Sequence, residues 1–207
     1  MKQERAVRTR QSLIRAAAEA FERHGYVQAK LSEISASAGV TPGALHFHFP
    51  TKAAVASTVE ATAATALRRA ATEAQEPGMN ALQRLTSITY ALGRRMREDV
   101  VARAGYQLNC RSPHGAGLDL CQEWQSCVER LVAEAAEEGL LADGVTEEDM
   151  VATVVGATTG FESLARTEPD WLSPATLTRF WRLIMPRLAA SEAAHCANAG
   201  PAPSRLT

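Results

Sequence analysis

The stretch Leu31–Lys52, LSEISASAGVTPGALHFHFPTK, decides how the rest of this chain is read. Leu31, Ile34 and Ala38 recur at helical spacing, and Gly39 then supplies a residue free in φ for a tight turn. Thr41 followed by Pro42 marks a new helix: a capping hydroxyl, then a residue whose missing N–H costs nothing at the first helical position. In that second helix Leu45 and Phe49, four apart, point inward. Gly43, Ala44, His46, Phe47 and His48 are left for the outer side. Two short helices around a glycine, the second with a small and hydrogen-bonding outer face, form a helix-turn-helix that can seat one helix in the DNA major groove.

The flanking sequence extends this pattern into an all-α chain. Leu13, Ile14, Ala17, Ala20 and Phe21 form one stripe, stopped by Gly25. Thr51 caps a further helix to about Ala74, with Val55, Val59, Ala63 and Leu67 inward, before Glu76-Pro77-Gly78 breaks the chain. Five more helices follow. Leu82, Leu85, Leu92 and Met96 mark one, and Val100 to Cys110 the next, ended by a loop over residues 111–115. Leu120, Trp124, Cys127, Val128 and Leu131 mark a third, closing at Gly139. Thr146 with Asp149 resembles a capping box and opens a helix through Met150, Val154 and Phe161. Ser173-Pro174 opens the last, with Leu177, Phe180, Trp181, Ile184 and Leu188, and Pro186 is expected to loosen its end. Residues 191–207 lack an apolar stripe and read as a disordered tail.

The 207 residues carry a net charge of only -1, yet the sign is divided. Residues 1–52 hold eight Lys/Arg against four Asp/Glu, net +4, and the remainder holds fourteen against nineteen, net -5. A basic head on an acidic body fits a nucleic-acid reader. No apolar run approaches the roughly 20 residues of a membrane span, and the charged start resembles no signal peptide, so a cytoplasmic address is expected. Cys110, Cys121, Cys127 and Cys196 lack the paired spacing of a zinc site and read as buried thiols. His46 and His48, two apart, do not share a helix face, so no metal is expected there. No nucleophile elbow or HExxH motif occurs, and neither an enzyme nor a cofactor is implied.

GVTPGALHFHFPTK strongly resembles the turn and recognition helix of the TetR family of bacterial one-component repressors, and Thr9 to Leu67 resembles that family throughout. GALHFHF differs at one position from the signature of the γ-butyrolactone receptor and pseudo-receptor subgroup of actinomycetes. Arg103-Ala104-Gly105 with Leu108, and Glu123-Trp124, look like further landmarks of that subgroup. The resemblance implies a DNA-binding domain over 1–52, a connecting helix over 51–74 and a ligand-binding and dimerisation domain over 75–190. It implies a homodimer on a palindromic double-stranded DNA operator, released by a small molecule such as a butyrolactone, butenolide or antibiotic.

Residue roles follow from chemistry within that frame. Thr41 sits where free N–H groups favour a phosphate, and Pro42 opens the helix. Gly43 and Ala44 allow close seating, while His46, His48 and Lys52 approach the backbone. Phe47 is either an apolar DNA contact or packed on the following helix. His46 stands where the family usually has Tyr, and Pro42 where the subgroup often has Lys.

Trp124 offers a flat wall and one N–H to an oxygenated ring, or is a plain core residue. Gln107 and Thr89 supply polar groups, and Leu85, Met96, Val128 and Phe161 supply walls. Arg103 is expected to pair with an acidic side chain or a ligand acid. Gly156 and Gly160 offer close approach, to a dimer partner or within the chain, alongside Phe180, Trp181 and Ile184. Two other readings keep the same fold: a ligand-independent regulator, and one that senses oxidants through its cysteines.

Overall fold

The computed structural model describes residues 2–111, 114 and 117–190. The tail expected over 191–207, with His195 and Cys196, lies outside them, as does most of the loop expected over 111–115. The described residues are helical almost throughout: α1 (Lys2–Gln28), α2 (Leu31–Ser37), α3 (Pro42–His48), α4 (Lys52–Glu73), α5 (Ala81–Glu98), α6 (Val100–Arg111), α7 (Leu120–Glu137), α8 (Glu147–Ala165) and α9 (Pro174–Leu188). A 3-10 turn, Pro169–Leu172, precedes α9, and its Pro-Asp start was not distinguished from loop in the sequence. No helix among the described residues is long and apolar enough to cross a membrane.

The chain forms two compact units, one gathering Met1–Leu67 with Glu98–Cys121, the other Arg68–Arg97 with Gln122–Thr207. In the first unit the apolar stripes converge as the spacing predicts. Leu13, Ile14, Ala17 and Phe21 of α1 bury against Ile34, Leu45, Phe49, Val55 and Val59. Gly25 breaks α1 with a backbone at φ 72°, ψ 165°, which a side chain would strain. Helix α6, inside the segment the sequence assigned to the later domain, packs on α1 and belongs to this unit. A Cβ on Gly105 of α6 would lie 2.4 Å from the Ala63 Cβ and 2.7 Å from the Val59 carbonyl oxygen, so only glycine allows this approach to α4. Arg103 binds Glu22 of α1 through both Nε and a terminal nitrogen, the acidic-partner role expected of it. The landmark Arg103-Ala104-Gly105 is thus a packing device.

In the second unit Leu82, Leu85, Ile88, Val128, Leu131, Met150, Val154, Trp181 and Met185 share one core. The capping box of α8 is complete: Thr146 Oγ1 accepts from the Asp149 N–H at 3.1 Å, and the Asp149 carboxylate accepts from the Thr146 N–H at 3.1 Å. Those bonds hold the Asp149 carboxyl below its usual range, the hydroxyl bond first and the backbone bond second. Glu134 of α7 is likewise held low, chiefly by its hydrogen bond to Arg130 and next by Arg84. Helix α9 runs two residues past Pro186 and ends at Leu188, where the Ala142 N–H donates to the Leu188 carbonyl.

The cysteine expectation needs correction. Cys110, in the last turn of α6, and Cys121, in the first turn of α7, are joined in a disulfide with a Cα–Cα distance of 5.8 Å. Helix ends facing across a short connection bring the two sulfurs together, and spacing in the chain does not show that. Only Cys127 is a free thiol among the described residues, and burial raises its pKa.

Candidate nucleic-acid interface

The second short helix is held by its ends. The Thr41 hydroxyl accepts the Ala44 N–H at 3.2 Å, and Pro42 starts α3. Gly39 turns the chain with φ 68°, and its N–H returns to the Ala36 carbonyl. Leu45 and Phe49 anchor α3 in the core, and the Arg10 guanidinium lies over the Phe49 ring at 5.4 Å. Both anchors on one side force the remaining residues outward.

Thr41, Pro42, Gly43, His46 and Phe47 are exposed, and Ala44 and His48 are half-buried. Phe47 is 85% exposed, which removes the alternative that it packs on α4. Its ring meets the His48 ring edge-on, at 5.4 Å between centroids. An aromatic left this open on a seven-residue helix is costly in water and suited to an external surface. A Cβ on Gly43 would find no atom nearer than the Thr41 hydroxyl at 4.0 Å, so its smallness serves nothing inside the protein.

Lys52 is placed differently from its expected role. Its ammonium donates to the Val27 carbonyl at 3.0 Å and sits 4.8 Å from the Tyr26 ring centroid. It fastens the start of α4 to the end of α1 instead of projecting beside α3. Tyr26 and Arg10 were not singled out in the sequence; an aromatic next to a helix-breaking glycine and an arginine on the apolar side of α1 were the available signals.

In the second unit Trp124 is half-buried against the core, and its indole N–H donates to the Thr158 hydroxyl at 2.9 Å. Neighbouring Glu123 takes a two-pronged bond from Arg68. Leu85 and Val128 lie in the same core as Trp124. Buried Thr89 spends its hydroxyl on the Leu85 carbonyl at 2.8 Å, and Met96 is buried. Phe161 stacks on Trp171 and meets Phe180 edge-on. Gln107 belongs to the other compact unit.

Trp181 departs from its expected place at a dimer surface. It is 2% exposed in its own core, and its indole N–H has no partner among the described residues. Its neighbours on α9 remain available: Ile184 and Phe180 are half-buried, and Leu183 is exposed. Around Gly156 and Gly160 an added Cβ would meet nothing within 4 Å, so close packing within the chain does not account for either.

Comparison with known proteins agrees with this geometry. Residues 13–59 match the family model of bacterial regulatory proteins, tetR family. The chain is 28% identical over 189 residues to the A-factor receptor protein of Streptomyces griseus, a match covering 91% of this chain and 66%, just under two thirds, of that relative's length. A crystal structure of a gamma-butyrolactone receptor (ArpA like protein) superposes with TM-score 0.82 at 26% identity, covering 94% of each chain. A structure of the TetR family protein CprB from Streptomyces coelicolor, in complex with its biological operator sequence, superposes with TM-score 0.78 at 28% identity over 93% of this chain and 94% of that one.

Proposed function

We propose that this chain, matched over residues 13–59 by the tetR family model and similar in structure to gamma-butyrolactone receptors, is a regulator of that family that represses transcription as a homodimer on a palindromic operator. The observation that carries this reading is α3, a short helix anchored by Leu45 and Phe49 and otherwise turned to solvent, with Phe47 at its centre. Thr41, Pro42, Gly43, Ala44, His46, Phe47 and His48 are its DNA-facing residues. Two copies related by a dyad read successive major grooves about 34–36 Å apart. Lys52 contributes by fixing α3 and α4 against the end of α1. The dimer forms through the open face of Gly156 and Gly160 with Phe180, Leu183 and Ile184, and the protein acts in the cytoplasm.

The input is a small oxygenated molecule of the butyrolactone, butenolide or antibiotic kind, taken by the second unit. Two indoles support this. Trp124 has its N–H on a hydroxyl that a ligand oxygen can replace, and Trp181 holds a buried N–H with no partner among the described residues. An unmet buried donor costs about 1–3 kcal/mol, which a ligand oxygen would recover. Leu85, Thr89, Met96, Val128 and Phe161 are the other candidates there.

Gel-shift titration against palindromes near the chain's own gene tests the reading. Binding by a dimer, with release by a γ-butyrolactone, a butenolide or a pathway antibiotic, supports it. Binding to no palindrome would sink the repressor assignment, and binding unaffected by every such compound would sink the effector class.

A further inference from the structure

Within the first unit the Cys110–Cys121 bond brackets His114, which meets the most deeply buried charge of that unit. Glu60 of α4 is fully buried, and its carboxylate receives the His114 backbone N–H at 3.0 and 3.1 Å. The His114 ring nitrogen Nδ1 lies 2.8 Å from the same carboxylate. Asn109 adds its amide N–H at 3.4 Å, donates to the Leu118 carbonyl at 3.0 Å and accepts the Leu120 N–H at 2.7 Å. A buried carboxylate is tolerable only while such partners stay in place. His114, between the two cysteines, supplies most of them.

The contacts continue toward the reading head. The His114 ring lies 4.0 Å, centroid to centroid, from Tyr26 at the end of α1. Tyr26 is covered in turn by the Lys52 ammonium, which also holds the Val27 carbonyl. Lys52 follows α3 by four residues. Both cysteines are half-buried, so a small thiolate can reach the bond.

We propose that the Cys110–Cys121 disulfide is a redox modification site, opened by a dithiol, whose closed state clamps His114 on Glu60 and thereby orders Tyr26, Lys52 and the adjoining head. One thiolate of the dithiol attacks either sulfur, giving a mixed disulfide and releasing the other cysteine as thiolate, which takes a proton. The second thiol of the reagent then displaces the remaining cysteine. The protein disulfide gains two electrons and two protons, and the dithiol becomes a disulfide. With the bond open, His114 is left with its hydrogen bonds to Glu60 and its ring contact with Tyr26, without the loop-closing constraint. Cys127 takes no part, because burial suppresses its thiolate.

The consequence for DNA rests on the function proposed above, whereas the clamp itself does not, and the experiment separates them. The full chain is compared oxidised and after dithiothreitol, by amide hydrogen exchange and by operator titration. Reduction is expected to speed exchange on the order of tenfold over residues 22–30 and 52–61. It is expected to weaken operator binding on the order of tenfold, a usual scale for coupled sites. Cys110→Ser should reproduce the reduced state and ignore dithiothreitol, and Cys127→Ser should leave the response intact. His114→Ala should show the fast exchange with the disulfide still formed, which keeps the clamp testable should Cys110→Ser fold poorly. Unchanged exchange over both segments on reduction would overturn the clamp. Changed exchange with no palindrome bound in either state would uphold the clamp and remove the repressor.

Discussion

Replacing Gly105 with Ala tests the packing that unites α4 and α6. The added carbon would sit 2.4 Å from the Ala63 Cβ and 2.7 Å from the Val59 carbonyl oxygen. Carbon atoms rest about 3.5–4.0 Å apart, so the helices must separate by roughly 1 Å or more. Neither neighbour can rotate away, because one is a methyl group and the other backbone. Overpacking of this kind costs about 1–3 kcal/mol, and the rigid surroundings argue for the upper end. Ala is favoured over Gly inside a helix by about 1 kcal/mol, leaving a net loss of about 2 kcal/mol. At about 2–4 °C per kcal/mol for a chain of this length, Tm should fall by about 4–8 °C. Circular dichroism melts of the oxidised chain measure this directly. Ala63→Gly removes the nearer clash, so the double variant should lose less than the two single losses combined. A Gly105→Ala protein at least as stable as the parent, or strict additivity in the pair, would refute the close-approach argument.

Phe47→Ala should leave Tm within about 1 °C, since an exposed side chain contributes little to folding, while operator affinity falls at least tenfold; equal affinity would remove Phe47 from the interface. Acid should weaken the α8 cap: Asp149 has its carboxyl pKa lowered in the fold, so its stabilising contribution is present above the unfolded value and lost as pH falls through the folded one. Thr146→Ala should therefore lower Tm near pH 7 and leave a smaller difference below about pH 3, the range where a free Asp is mostly protonated, checked by melts across pH. Cys127 should alkylate slowly with iodoacetamide at neutral pH even after dithiothreitol, and peptide mass spectrometry showing it labelled before Cys110 and Cys121 would contradict the burial argument.

What was legible in the sequence follows from how local each signal is. Thr41-Pro42, Thr51, Thr146 with Asp149, and Ser173-Pro174 announce helix starts because a cap acts within three residues. Leu45 and Phe49 turn inward because helical periodicity is equally local, and α3 was readable on those grounds. The disulfide was not, since the sulfurs meet only once α6 and α7 are placed. Lys52 was assigned to phosphate because a lysine after a recognition helix has the right charge, while Val27, 25 residues earlier, is invisible to that logic. Trp181 was read as interface because its stripe on α9 continues through Phe180 and Ile184, and a periodic face does not say which member points deepest.

The position of Lys52 bears on how this protein would search a chromosome. With that ammonium drawn onto a helix end, the residues of α3 from Pro42 to His48 carry no lysine or arginine. Long-range attraction to any duplex, the source of sequence-blind adhesion, then falls mainly to cations outside α3, Lys52 and those of α1 such as Arg5 and Arg8. A reading surface that is itself nearly uncharged gains little from random DNA. Fewer copies would be lost to the vast excess of wrong sites, so a small cellular pool could keep a few operators occupied.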